Sequence, residues 1–337
     1  MELFYPALSA EFARLLGRLS GRKVAVVGHA RPDGDCIGSQ VALARLLAAR
    51  GQDVVCVNAD PVPRRLQFLT VGMRFFNTDE VLKNREERAA VYVDCADHAR
   101  PGERLKAFYP QVEAVIDHHL SNVGYAATNL VDSASAATCE LLAGMLFDNH
   151  LPVDAQMANA LYTGLLTDTG QFRFPSTSRR CFVLAGELVA RGADPTEAGT
   201  NLYERESLGK MRLLQRYLAS LQLECGGRVC IGVLPPDIFE ATGSTSEDTE
   251  GLVDYARSIE GVDVGALIEQ RADGSMKASL RGKDPAFRVD LVAAKFNGGG
   301  HACAAGLNLK TGTENFPSRL VAAVADRIAL ADAARKS

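Results

Sequence analysis

His29, Asp33 and Asp35 stand together in the stretch VGHARPDGDCIGSQ (Val27–Gln40), behind an apolar run and around Pro32 and Gly34. Proline and glycine favour a turn over a continued strand, so several side chains can converge there. Histidine with alternating aspartates is the chemistry of one face of a metal site. Three further clusters share it: Asp94 closing AAVYVD, Asp117-His118-His119 closing EAVIDHH, and Asp168 in LLTDTGQF. Crowding four or more carboxylates into one pocket is strongly unfavourable without cations, because like charges raise each other's pKa and resist ionisation. Two divalent metals, not one, would resolve that conflict. The first cluster also has a plainer reading, an Asp-rich turn whose side chains bond the start of the following helix. Asp94 ends an apolar strand, where a carboxylate must be exposed in a cleft, paired or metal-bound; alternatively it caps a helix or turn.

These residues need a scaffold that brings strand ends together. Residues 23–28, 53–58, 90–94 and 113–117 are short Val-rich runs of the kind found in strands buried on both faces, and helical spacing occurs at 38–50, 134–148 and 155–168. The pattern predicts an α/β domain with a mainly parallel sheet. The clusters fall at strand ends, and in open α/β sheets ligands bind outside the carboxyl ends of the strands. Asp168 falls near the end of its helix. The chain reads as helical and polar on one face around 178–222, with 206–224 as a helical connector. Beyond it, RVCIGVLP, VDVGALIEQ and SMKASLRG read as strands, 288–296 and 316–334 as helices, and Ala241–Ser246 as part of a mobile turn. The expected organisation is a first domain over 1–205, the connector, and a smaller α/β domain over 225–337.

At 337 residues there is room for two cores. A net charge of −4 offers no general basic field for long duplexes, so short or small phosphorylated molecules fit better as substrates. Lys277, Arg281, Lys283 and Arg288 form a local basic cluster, or else a solvated strip. No secretory leader pattern or membrane-length apolar run is present, and the expectation is a cytoplasmic protein without membrane partners. The eight cysteines lack a CxxC pair and read as reduced core residues, with Cys36 and Cys95 as apolar fillers beside the clusters; His98 and His150 read as surface histidines.

Taken with FNGGGHACAAG (Phe296–Gly306), the ordered clusters resemble the DHH phosphoesterase family, named for the motif at Asp117-His118-His119, and its associated C-terminal domain. The resemblance covers nearly the whole chain. It implies one metal held by His29, Asp33 and Asp94 and a second held by Asp35, Asp94, His118 and Asp168, with Asp94 bridging. Asp117 would orient the imidazoles from behind, and His119 would contact the reacting phosphate. Ser279, Arg281, Gly298, Gly299, Gly300 and His301 would hold substrate phosphate or nucleotide, with Arg100 as a further phosphate contact. Imidazole and carboxylate without thiolate suit manganese or magnesium more than structural zinc, and two histidines favour manganese, the slightly softer of the pair. A water activated between the metals is the expected nucleophile, since no serine or cysteine lies in a nucleophile motif.

Within the family, the length and two-domain plan are most similar to nano-RNases, oligoribonucleases that also act on 3′-phosphoadenosine 5′-phosphate. Linear dinucleotides are an equally open substrate, and a homodimer is left open. RecJ-type nucleases carry additional domains, the manganese inorganic pyrophosphatases have a different C-terminal domain, and a non-catalytic nucleotide- or RNA-binding protein would not require the full ligand set.

Overall fold

The computed structural model describes residues 3–336, and its two compact units divide between Arg205 and Glu206. In the first unit the strands are β1 (Val24–Val27), β2 (Val54–Val57), β3 (Phe75–Phe76), β4 (Ala89–Val93), β5 (Ala114–Asp117) and β6 (Thr128–Val131). Its helices are α1 (Pro6–Leu19), α2 (Gly34–Ala49), α3 (Thr78–Asn84), α4 (Glu103–Phe108), α5 (Thr138–Asp148), α6 (Ala155–Asp168), α7 (Arg179–Ala190) and α8 (Pro195–Tyr203). The sheet runs β3-β2-β1-β4-β5-β6, all parallel. Chain order reverses between β1 and β4, which makes the gap outside their carboxyl ends the topological switch point.

Both faces of this sheet are covered. Val24 and Val26 point into a core shared with α1, α2, α5 and α6, while Ala25 and Val27 point into a second core with Val81 of α3 and Leu105 of α4. That alternation explains why the strands read as continuous apolar runs. Helices α2 and α5 approach α6 so closely that a Cβ on Gly164 would lie 2.3 Å from Cys139 Sγ of α5 and 3.0 Å from Asp35 Oδ1 of α2. Only glycine at that crossing leaves room for the Asp35 carboxylate.

The second unit holds α9 (Leu208–Ala219), β7 (Gln222–Glu224), β8 (Val229–Leu234), α10 (Ile238–Thr242), α11 (Leu252–Ser258), β9 (Val264–Gln270), β10 (Met276–Gly282), α12 (Val289–Ala294), β11 (Gly299–His301), β12 (Ala304–Leu309) and α13 (Phe316–Lys336). The sheet order is β11-β12-β10-β9-β8-β7, with β8 and β9 parallel and the other pairs antiparallel. Ala278 and Leu280 of β10 pack under α12 and α13, whereas Cys230 and Leu267 pack against Leu213 and Tyr217 of α9.

Several sequence expectations need correction. The helix expected from 134 starts at Thr138, because Asp132 and Ser135 turn the preceding backbone through their own side-chain hydrogen bonds. The helical region at 178–222 is three helices, broken at Gly192, whose φ of 97° suits glycine, and again ahead of Ser207. Helix α9 is not a bare connector: Leu213 and Tyr217 are buried and the Tyr217 hydroxyl donates to the Ala266 carbonyl at 3.2 Å. Around Ala241–Ser246 the backbone ends α10 and enters a short 3-10 turn capped reciprocally by Thr245 and Asp248. Cys225 is exposed and Cys303 half-buried, so two of the eight cysteines lie outside the cores. His98 is not a surface histidine; it stacks on Tyr125 and bonds the Tyr109 carbonyl at 2.8 Å. Among the described residues no helix is long and apolar enough to cross a membrane.

Candidate metal centre

Strand register assembles the centre. Val27 of β1 pairs with Tyr92 of β4, so counting two residues onward on each strand sets His29 level with Asp94. Val93 pairs with Ile116 of β5, and the Asp94 amide donates to the Ile116 carbonyl at 3.0 Å, which brings Asp117 and His118 alongside. Asp94 itself has φ 56°, an uncommon left-handed conformation for a non-glycine residue, and it turns the chain sharply out of β4. Helices α2 and α6 then deliver Asp35 from one end and Asp168 from the other.

Two groups result. His29, Asp33 and Asp94 offer donor atoms close enough to share one ion, and so do Asp35, His118 and Asp168; a third grouping joins Asp94, His118 and His119. His29 Nε2 is 3.3 Å from Asp94 Oδ2 and 3.6 Å from Asp33 Oδ1. His118 Nε2 is 3.2 Å from Asp168, 3.6 Å from Asp94 Oδ1 and 3.9 Å from Asp35. Asp94 therefore faces both histidines, one through each oxygen.

The histidines are aimed from behind. His29 Nδ1 lies 2.9 Å from the Ala30 carbonyl and His118 Nδ1 lies 3.3 Å from the Ser135 carbonyl. A carbonyl accepts only, so each Nδ1 carries the proton and a neutral ring turns its Nε2 lone pair toward the carboxylates. That arrangement is repulsive unless a proton or a cation lies between, and it is the donor set a divalent ion requires. The sequence reading gave Asp117 to the imidazoles in general; the structure gives it to His119 alone, through a 2.7 Å bond to His119 Nδ1, with Asn122 on its other oxygen at 2.7 Å. These bonds hold the Asp117 carboxyl below its ordinary range although burial opposes them.

Charge crowding shows in the acid–base behaviour. Burial, then the Asp94 and Asp168 charges, push the Asp35 carboxyl well above the usual range. Burial likewise raises Asp168 to about 6 against the pull of His118. His118 is raised to about 11: burial opposes the charge, but the Asp168 bond and the field of Asp35 outweigh it. Carboxylates that resist ionisation beside histidines that resist deprotonation mark a pocket in need of added positive charge.

Asp33 has two tasks. Its Oδ1 accepts from the Asp35 and Cys36 amides at 3.2 and 3.1 Å and caps α2, so the plainer sequence reading also holds for this residue. Asp35, fully buried, accepts from the Thr138 and Cys139 amides at 2.6 and 2.8 Å, and Thr138 Oγ1 donates to Asp94 at 3.2 Å. Thr138, Cys139, Ser135 and Asn122 escaped the sequence reading because three of them act through backbone atoms. Arg100 sits beside the first group through its carbonyl, which accepts from the Ala30 amide at 2.9 Å. Cys36 and Cys95 are buried and belong to none of the metal groupings.

In the second unit, register gathers the other expected residues. Arg281 of β10 and His301 of β11 both pair with Ala304 of β12; in the next row Ser279 and Gly299 both pair with Gly306. Residues directly opposite share a face. Alternation with buried Ala278 and Leu280 turns Ser279 and Arg281 toward the open side. Gly298 differs from expectation: its amide donates to the Ala293 carbonyl at 2.9 Å, and a Cβ there would come within 2.4 Å of the Gly306 carbonyl. Gly300, with φ 148°, pairs with Ala305, so the glycine run is an edge strand and not an open loop of amides. Of the basic cluster, Lys277 pairs with Glu269, Lys283 bonds the Ile259 carbonyl and Arg288 pairs with Asp290.

A doubly wound domain with paired Asp/His groups at its switch point, followed by a smaller mixed-sheet unit, defines a recognisable class. The DHH family N-terminal domain matches residues 23–165 and the DHHA1 domain matches residues 226–329, and the chain belongs to the DHH family. The bifunctional oligoribonuclease and PAP phosphatase NrnA of Thermus thermophilus is 32% identical over 286 residues, spanning 85% of this chain and 83% of that one. Among solved structures, an exopolyphosphatase-related protein from Bacteroides fragilis superposes with a TM-score of 0.87 at 23% identity, over 97% of this chain and 98% of that one. RecJ of Thermus thermophilus in complex with Mn2+ gives 0.54 at 18% identity, over 97% of this chain and 55% of RecJ.

Proposed function

We propose that this chain is a two-metal phosphoesterase that hydrolyses short oligoribonucleotides or dinucleotides to mononucleotides and also removes a phosphate from 3′-phosphoadenosine 5′-phosphate. The observation that carries the reading is Asp94 standing between the His29–Asp33 pair and the Asp35–His118–Asp168 group. A relative that shares most of its length with this chain is named for both activities. Divalent ions bound there would supply Lewis acidity at the phosphoryl oxygen and lower the pKa of water. Nitrogen donors beside carboxylates favour manganese over magnesium.

The chain's own residues do the rest. His29, Asp33 and Asp94 would hold one ion and Asp35, Asp94, His118 and Asp168 the other, with His29, Asp33, Asp35 and His118 oriented by backbone groups and Asp94 by the Thr138 hydroxyl. His119, held by Asp117, would face the reacting phosphate as a donor to its developing charge. In the second unit Arg281 and Ser279, with His301 across Ala304, would bind a terminal phosphate or nucleotide, and Arg100 would be a further phosphate contact. The glycines at 299 and 306 keep that face low enough for a ligand to lie on it.

Phosphate or mononucleotide release from dinucleotides, 3′-phosphoadenosine 5′-phosphate and pyrophosphate, measured with and without Mn2+, tests the proposal. The expected result is Mn2+-dependent turnover of the first two and none of pyrophosphate. Initial rates on labelled RNA from two to about 24 nucleotides should fall with length. Equal rates at both ends of that range would replace a short-substrate enzyme with a processive exonuclease.

A further inference from the structure

Residues 135–139, between β6 and the first turn of α5, touch the second metal group at three points. The Ser135 carbonyl accepts from His118 Nδ1, the Thr138 and Cys139 amides hold Asp35, and Thr138 Oγ1 bonds Asp94. The aim of these ligands therefore depends on where this short segment lies. Ala136, Ala137 and Cys139 seat the segment in the apolar core, and polar side chains add bonds at its two ends.

Glu140 of α5, with no exposed surface, accepts from the Ala136 amide at 2.5 Å and from Arg180 Nε at 2.7 Å. Arg180, from α7, reaches on through Nη2 to Ser135 Oγ at 3.3 Å and Asp132 Oδ2 at 3.4 Å, and its guanidinium lies 4.4 Å over the Tyr5 ring. Ser135 gives its single hydroxyl proton to Asp132 at 2.7 Å, so its oxygen accepts from Arg180 and from the Tyr5 hydroxyl at 2.7 Å. A buried carboxylate–guanidinium pair contributes little net stability, because desolvation offsets the attraction. Its planar fork does contribute geometry, fixing two bonded neighbours at once. Here those neighbours are Glu140 and Ser135, on either side of the segment.

We propose that Arg180 and Glu140 are positioning residues for the second metal group, clamping Ser135 and Ala136 so that His118 and Asp35 meet the ion in the correct orientation. The proposal rests on the two-metal reading above. It also makes the two sites unequal: His29 is aimed by the Ala30 carbonyl and Asp33 by its helix cap, and the first group meets the clamped segment through Asp94 and, at one remove, through the Asp35 amide that Asp33 accepts from.

The test is Mn2+ titration of the metal-stripped full chain by calorimetry, with electron paramagnetic resonance counting bound ions, alongside kcat and KM. Wild type should bind two ions. Arg180→Met should weaken one site by about 10- to 100-fold, the usual effect of losing a partner behind a ligand, leave the other site unchanged, and lower kcat with KM held. Arg180→Lys keeps a charge and a donor and should recover part of the loss. Because Arg180→Met strands the buried Glu140 charge, Tyr5→Phe is run beside it; it removes one hydroxyl, keeps the ring, and should weaken the same site by about 2- to 10-fold. A purely structural role would lower the melting temperature and leave both affinities alone, and that result, or equal weakening of both sites, overturns the proposal. Wild type binding fewer than two ions overturns the two-metal reading and this proposal with it. Two ions in wild type with unaltered affinities in all three variants overturn this proposal alone.

Discussion

In the N-terminal unit the candidate ligands are held from behind: two amides grip Asp35, two more grip Asp33, and a carbonyl fixes each of His29 and His118. The open face of the C-terminal sheet is built differently, with Arg281 and Ser279 half-exposed on β10, which β12 separates from the exposed edge strand β11. Buried polar groups without partners are costly, so a centre that gathers carboxylates must be satisfied bond by bond in the folded chain. A surface that meets a charged ligand can leave its side chains in water until the ligand arrives. Under the proposed function, the difference separates groups set for chemistry before substrate binds from groups set for recognition.

That comparison breaks first at Asp94. Asp94→Asn should keep the fold and lower kcat by at least about 10³-fold, since one carboxylate serves both groups and losing a single transition-state donor already costs that order. Mn2+ stoichiometry and single-turnover rates check it; two tightly bound ions with wild-type turnover would remove Asp94 from the shared role. On the other side, Arg281→Ala should raise KM by about 10- to 100-fold, the worth of a charge-assisted hydrogen bond, with kcat nearly constant. A fall in kcat at constant KM would place Arg281 with the chemistry.

Lys277 sharpens the contrast, because it lies on the same strand face as Arg281 but pairs at 2.7 Å with Glu269, which is buried. Lys277→Met should leave KM unchanged and cost about 1–3 kcal/mol of stability by stranding that carboxylate, seen in denaturant midpoints. A large KM effect would enlarge the recognition surface.

The smallest expected effect lies at the start of α6, the helix that ends in Asp168. Asp154 caps it through the Met157 amide at 2.8 Å and pairs with Arg45 at 2.9 Å. Burial opposes the shift, but the Arg45 bond and the amide hold the Asp154 carboxyl below its ordinary range. A depressed folded-state value means the contribution is present above the unfolded carboxylate pKa and is lost as pH falls through the folded value. Asparagine still caps, so Asp154→Asn should cost less than about 1 kcal/mol near neutrality, the worth of an exposed ion pair. Melting curves of the two proteins should converge in acid; a gap that persists there would trace the effect to something other than ionisation.

The six aspartates and histidines of the two candidate groups stand out in the sequence because they follow a short apolar strand, lie in the Pro/Gly turn beyond one as Asp33 and Asp35 do, or close a periodic helix, and these signals are local. The four central strands of the first sheet were legible for the same reason. Two-residue β3 was not, since so short a run has no period, and neither was β6, which carries Asn129 and Thr128. The start of α5 was misplaced because Ser, Ala and Thr fit a helix as well as the turn that Asp132 imposes.

By itself, then, the sequence determined which residue types stand at the strand ends, and with them the family and the candidate metal ligands, because strand length, burial and the acid that follows are set by neighbours in the chain. Tertiary structure alone decided which nitrogen of His118 faces the acids, since the Ser135 carbonyl comes from a different strand connection than His118. It decided that Arg180 would reach Glu140 and Ser135 from another helix, and that Gly298 would close a packing contact while Arg281 and His301 share a row across Ala304. Each of those depends on register or on the approach of segments distant in sequence, and no local pattern of side chains encodes such a distance.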